Sequence, residues 1–314
     1  MFNWKNGSLL VVLVGFIVLP FLPFGGKDNL TLLISLFLLA SMASSWNILG
    51  GYVGHINLGH GAFFGIGSLV TRALWLEYEL PILIALAAGA LVAAIAALIV
   101  GAPALRLRGT YFAIGTLALA EAMRLTVGNV LPRVSRLPGP ALRSYDIVPR
   151  YYLALAVLAV IVIFTLWLNR SKLGLGMMAV REDEEAARSI GVNVFLHSIL
   201  AFVMSAFFAG LAGGAFAYFH VGYYPNYTFG PIWTFDAVII AYVGGVGTPF
   251  GPLIGAIFFV LVRDILSANL VNVHLIIFGI VFILIVLLLP GGFTELIDRI
   301  RQYVMPDTEP DTGT

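Results

Sequence analysis

Between Asp28 and Arg72 the chain runs without a single Asp, Glu, Lys or Arg. That interval is about twice the ~20 residues a helix needs to cross a bilayer core of ~30 Å. A stretch of this kind needs either a large buried core or lipid, and composition decides between them. Only 11% of residues are charged, against about 25% in an ordinary soluble domain. With 60% hydrophobic residues and a mean hydropathy of +1.00, the apolar surface exceeds what one globular core can enclose. A soluble enzyme is excluded. Counting apolar intervals gives candidate spans at 6–26, two within 29–71, then 80–105, 110–128, 151–169, 198–219, 231–247, 251–266 and 274–289. The expected fold is all-α, a polytopic membrane helix bundle of about 8–10 transmembrane helices, the lower count applying if Gly-rich segments are broken or re-entrant.

Threading these spans places Lys5, Arg106, Arg108, Arg170, Lys172, Arg181, Arg188, Arg299 and Arg301 on one face. The other face holds Lys27, Arg72, Arg133, Arg136, Arg143 and Arg150. Basic residues favour the cytoplasmic side, so the first face is assigned there, with both termini cytoplasmic. The four arginines of the 131–150 loop run against that rule, and sequence alone gives no reason for them. The first span lacks a small-residue cleavage pattern and reads as a retained anchor. The chain thus divides into a transmembrane permease domain, 1–292, with a cytoplasmic loop at 169–196, and a cytoplasmic amphipathic tail, 293–314.

Much chemistry is missing from this sequence. None of the three lysines lies in a G-x-x-x-x-G-K-[ST] loop, so nucleotide phosphates have no cradle. The five histidines form no His-x-x-x-His pair beside a glutamate, and there is no cysteine. No G-x-S-x-G elbow offers a serine nucleophile. No catalytic residue, metal site or cofactor is therefore expected. A net charge of +1 from scattered basic residues gives no field for nucleic acid. Transport remains.

Three runs carry information. Residues 49–67 contain Gly50, Gly51, Gly54, Gly59, Gly61, Gly65 and Gly67, interleaved with His55, Asn57 and His60. Glycine at this density breaks a helix, and freed backbone groups are tolerated at membrane depth only beside protein or a water-filled cavity. A substrate pathway through Gly51, Gly54, His55, Asn57, Gly59, His60 and Gly61 is the favoured reading. The alternative is close helix packing at Gly59, Gly65 and Gly67. A second run, 242–256, has five glycines with Pro249 and Pro252, and a tight turn between spans accounts for it. The third is the cytoplasmic stretch 171–193. Its acidic start at Glu182, Asp183 and Glu185 suits a helix N-terminus, and Gly191 suits the residue that ends one. Asp183, Ala186, Ala187 and Ile190 share a small face, fit either for another protein's groove or for the chain's own membrane domain.

Glu185, Ala186, Ala187 and Gly191 match the E-A-A-x-x-x-G pattern of ABC-importer permeases. Together with the 50–65 run, the stretch 105–114 (Leu-Arg-Leu-Arg-Gly-Thr-Tyr-Phe-Ala-Ile), residues 181–184 and the glycines at 244–247 before Gly251 and Pro252, the chain resembles the branched-chain amino-acid ABC-transporter permeases of LivM type, from about residue 29 to 293. The resemblance implies a permease subunit of an ATP-driven importer of leucine, isoleucine and valine in a bacterial or archaeal cytoplasmic membrane. It also implies partners: a paralogous permease subunit, two cytoplasmic ATPase subunits and an extracytoplasmic solute-binding protein. Arg181, Glu182, Asp183, Glu185, Ala186, Ala187 and Gly191 would be its ATPase-coupling element. His55, where relatives usually carry glutamine, and Asp236, in a span often without an acid, are departures. Permeases for urea and short amides look similar and remain an alternative substrate class. A different class, an ion-coupled secondary transporter, would use Asp236 and Glu121 as titrating acids. For Asp236, with Arg263 and Asp264 in the next span, a structural ion pair is the favoured reading, and Glu121 and Arg124, three residues apart on one helix, can pair directly.

Overall fold

A computed structural model describes residues 14–22, 25–130, 135–143, 145–269 and, with interruptions, 279–296. The bundle is built from α1 (Lys27–Gly50), α2 (His60–Leu76), α3 (Ile82–Ala104) and α4 (Thr110–Val130). The short α5 (Gly139–Arg143) leads into α6 (Ile147–Arg170), α7 (Lys172–Glu182) and α8 (Glu184–Ser189). Then come α9 (Val194–Phe219), the single turn α10 (Pro225–Thr228), α11 (Ile232–Gly244) and α12 (Gly251–Asn269). One two-residue antiparallel pair, β1 (Ser135–Arg136) with β2 (Gly222–Tyr223), ties the 131–150 loop to the end of α9. Among the described residues, α1, α3, α6 and α9 are long and apolar enough to cross a membrane by length and composition. The expected first span and tail fall largely outside the described residues, as does much of 274–289.

α3 explains why this is a membrane bundle and not a globular core. Its interior face is a ladder of small residues four apart, Ala85, Gly89, Ala93, Ala97 and Gly101, all buried. Its outer face carries Leu83, Leu91, Leu98 and Ile99, between 54% and 69% exposed. Large aliphatics outside and small residues inside invert the soluble pattern. In lipid the inversion is sensible, because packing drives association when there is no water to escape. α9 answers with Ala206, Gly210, Gly213 and Gly214, and lies against α1, α2, α3 and α6 at the centre of the fold. A Cβ on Gly67 of α2 would collide with the backbone of Gly210, so these two helices touch main chain to main chain. The packing reading of the first glycine run therefore holds at Gly67. A Cβ on Gly59 would meet the Thr116 carbonyl, and one on Gly65 the Phe229 ring.

The C-terminal end of α9 accounts for two of the arginines expected on the less basic face. A helix leaves its last four carbonyls without intrahelical donors, and here each is met. Phe216 O accepts from His220 N at 3.0 Å, and Ala217 O from Arg72 Nη1 at 3.3 Å. Tyr218 O accepts from Arg150 Nε at 2.9 Å and Phe219 O from the Tyr145 hydroxyl at 2.9 Å. Arg72 goes on to the carbonyls of His220 and Val221, each at 3.1 Å. The guanidinium of Arg150 lies 3.8 Å from the Tyr145 ring centre and 4.4 Å from that of Tyr218. Both arginines are 4% exposed. They are cations consumed at the negative end of a helix.

Two expectations change. The candidate span 231–247 is realised as α11, whose 13 residues reach only about 20 Å, short of a bilayer core. Gly245, at φ +125°, ends the helix, and residues 245–247 of the expected span form a turn. In the 171–193 stretch one helix was expected and two are found. Ser171 caps α7 by accepting from Gly174 N at 3.0 Å, an N-cap signal legible in the sequence.

Candidate coupling and transport site

Both Gly-rich runs and the 171–193 stretch meet at one end of the bundle. α1 ends at Gly50, residues 51–59 are non-helical, and α2 starts at His60. The loop folds back beside α1. Trp46 Nε1 donates to Asn57 O at 2.8 Å, and Ser45 Oγ lies 2.8 Å from His60 Nε2. His60 returns to the level of Ser45, about a turn and a half inside the end of α1, so the break is re-entrant.

Asn47 joins the two runs. Its Oδ1 accepts from Gly247 N at 2.8 Å and its Nδ2 donates to Thr248 O at 3.0 Å. Arg181, at the end of α7, donates from Nη1 to Gly51 O at 2.8 Å. A Cβ on Gly54 would meet Arg181 Cγ, and one on Gly247 would meet its guanidinium, so the arginine is wedged between the two runs. It also pairs with Glu182 at 2.8 Å. One side chain thus connects the 171–193 stretch to the loop after α1 and the turn after α11.

α8 is capped by Asp183, which accepts from Glu185 N at 2.8 Å and Ala186 N at 3.0 Å. The N–H groups of Ala186 and Glu185 hold its carboxyl below the usual carboxylate range. Gly191 ends the helix with φ +87°, a left-handed conformation that favours glycine, while Val192 N returns to Ala187 O at 2.9 Å. The small face divides. Ala187 is 2% exposed and joins Val180 and Val194 in the chain's own core. Ala186 is exposed and Ile190 is 76% exposed. The helix both lies on its own domain and presents a surface. Glu185 faces solvent, and Glu184 pairs with Arg188 at 3.6 Å.

The residues expected to line a pathway are placed as follows. Asn57 is 1% exposed, its Oδ1 accepting from Gly59 N at 2.8 Å. His60 is fully buried between Ser45 and Ser205. Gly51 is buried, Gly54 exposed. Gly61 N donates to Thr234 Oγ1 of α11 at 2.7 Å. His55 is half-buried, 5.5 Å from the Phe112 ring, and near enough to Glu184 for their charges to interact. In this chain Asn57 and His60 are hydrogen-bonded inside the fold. Asn47, Thr116 and Thr234, which hold the break in place, were not singled out in the sequence. An asparagine four residues before a glycine break in a charge-free helix was the available signal for Asn47.

A cavity of about 690 Å³ lies elsewhere, lined by α1, α9, α11 and α12, and none of the expected pathway residues lines it. Asp236 and Arg263 do, with Nη1 to Oδ2 at 3.7 Å, which realises the expected ion pair. Glu121 and Arg124 form their own pair, Nε to Oε2 at 2.8 Å.

A helical bundle with several apolar crossings, two broken segments and a loop stapled to both is that of a multi-pass membrane protein. Residues 29–286 match the family described as branched-chain amino acid transport system / permease component, and the chain belongs to that family. It is 29% identical to the high-affinity branched-chain amino acid transport system permease protein LivM of Escherichia coli (strain K12), over 82% of this chain and 68% of the relative. It is 32% identical to the autoinducer 2 import system permease protein LsrC of Enterobacter sp. (strain 638), over 68% of this chain and 64% of the relative. A shorter stretch, 34% of this chain and 33% of the relative, is 31% identical to the galactose/methyl galactoside import permease protein MglC of Salmonella typhimurium. No solved structure matches.

Proposed function

We propose that this chain is the permease subunit of an ATP-driven importer of branched-chain amino acids, acting with a paralogous permease, two ATPase subunits and an extracytoplasmic binding protein. The observation that carries the coupling half is Arg181. A push or rotation of α7 and α8 by a docked ATPase reaches Gly51 O and Gly247 through one rigid guanidinium. From there it acts on α1 through Asn47 and on α11 through its C-terminal turn. The similarity to LivM over most of both chains supports the substrate, and that to LsrC and MglC makes sugars the competing cargo.

The capping of α9 supports the orientation proposed from the sequence. With Arg72 and Arg150 committed to carbonyls, and Arg181 discounted likewise, the basic residues left are Lys27, Arg133, Arg136 and Arg143 on the outer face, against eight on the other. The positive-inside argument for cytoplasmic termini is stronger after that correction. The test is uptake of labelled leucine into proteoliposomes holding the complete complex, with binding protein outside and ATP inside. Uptake that needs ATP and survives a protonophore is expected. Uptake without ATP that collapses with the proton gradient would establish a secondary carrier instead, and uptake of galactose or urea but not leucine would overturn the substrate.

A further inference from the structure

The cavity lined by Asp236 and Arg263 is not explained by packing, and we infer that it is a recognition site for the zwitterionic head of an α-amino acid. The inference rests on the reading above that the cargo is an amino acid. The solute's ammonium is met by Asp236 and its carboxylate by Arg263.

Charged side chains inside an apolar bundle are costly and face either each other or an aqueous path. Here they do both incompletely. The Arg263–Asp236 separation of 3.7 Å is long for a charge-assisted hydrogen bond, which closes to about 2.7–2.9 Å. The Glu121–Arg124 pair, at 2.8 Å, shows a closed pair in the same chain. The Arg263 side chain is 55% exposed, so its planar fork has N–H groups to offer a carboxylate. Asp28 also lines the cavity and adds a carboxylate to its wall, which favours a solute that brings an ammonium.

The rest of the wall suits an aliphatic side chain. Leu38, Leu39, Phe216, Trp233 and Val260 supply apolar surface. Trp233 is fixed, its indole N–H donating to Tyr227 O at 3.1 Å and its ring stacked 4.2 Å from Phe64. The cavity volume falls within the range of about 300–1,000 Å³ usual for small-molecule sites. Its position follows from the fold. α11 is too short to span, and Asp236 sits one turn into it, leaving room between the outer ends of α1 and α12. A neutral sugar gives no reason for this charge pattern.

The chain has no cysteine, so a single reporter can be placed without background. In the complete complex, Ser35→Cys on the cavity wall should react with a water-soluble thiol reagent, and saturating leucine should slow that reaction about tenfold. 4-Methylpentanoate, which lacks the ammonium, and 3-methylbutylamine, which lacks the carboxylate, should not protect. Adding Asp236→Asn or Arg263→Gln should abolish protection while Ser35→Cys keeps its ligand-free labelling rate, which reports that the cavity is intact. Leucine uptake with no protection of Ser35→Cys would overturn the site and leave the importer reading standing. Protection by 3-methylbutylamine equal to that by leucine, or protection that survives both charge substitutions, would overturn the two-charge recognition. Absence of leucine uptake, with another solute carried, would instead bring down the importer reading itself.

Discussion

Asn47 holds the Gly247–Thr248 peptide by both edges, accepting from the Gly247 N–H at 2.8 Å and donating to the Thr248 carbonyl at 3.0 Å, across 200 residues of sequence. Among side chains only glutamine also carries an amide N–H donor beside a carbonyl acceptor, and glutamine is one carbon longer. Asn47→Ala leaves two backbone groups without partners, at a cost of about 2–4 kcal/mol. A lower midpoint in detergent thermal unfolding is the expected result. Asn47→Asp should be at least as damaging, because it removes the donor and places a carboxylate at a site 1% exposed.

At the opposite end, Arg72→Ala strips donors from three carbonyls around the end of α9. The expected loss is about 2–4 kcal/mol. Arg72→Lys, with one point charge in place of a fork, should recover only part of it. Thermal unfolding of the purified chain measures both. A neutral outcome for Arg72→Ala would show that solvent or lipid headgroups replace the arginine.

The divided face of α8 separates docking from folding. Ile190→Asp removes an apolar side chain that touches solvent, so stability should stay within about 0.5 kcal/mol while ATPase co-purification falls. Ala187→Glu should behave differently and lower the thermal midpoint, because Ala187 is packed under the helix. Equal effects of both on unfolding, with ATPase binding intact, would place the docking surface elsewhere.

Asp183 gives a pH prediction. Its folded pKa is depressed, so its contribution to α8 is present above the unfolded value and lost as pH falls through the folded one. Across neutral pH the cap is constant, and fraying begins only on acidification below about pH 4. Hydrogen-exchange protection factors at residues 184–190 should be constant across neutral pH in the wild type and in Asp183→Asn, since asparagine also caps. In Asp183→Ala they should be low throughout.

Charge-free intervals and small-residue spacing made the helices of this fold legible, because both act locally along the chain. The ladder from Ala85 to Gly101 can be read directly from sequence. So could the ion pair of Glu121 with Arg124, one turn apart. What stayed hidden depends on partners far away in the chain. Arg72 and Arg150 look like misplaced surface charges until the carbonyls of α9 are seen beside them, since backbone acceptors leave no mark in a sequence. His55, Asn57 and His60 drew attention as polar residues in an apolar break, yet Asn57 and His60 find their partners within the fold. The cavity assembles Asp28, Asp236 and Arg263 from three separate helices, and no spacing rule connects them.

The burial of α1 has a consequence for how the chain is made. In its most apolar stretch 83% is enclosed by protein, against 39% for α3. α3 can enter lipid as soon as it is synthesised and rest there unassisted. α1 emerges earlier, but the helices that surround it, α6, α9, α11 and α12, come 100 to 240 residues later. Until they arrive, Asn47 and the serines of α1 lack their final surroundings, so α1 reaches its enclosed position only after the helices that follow it.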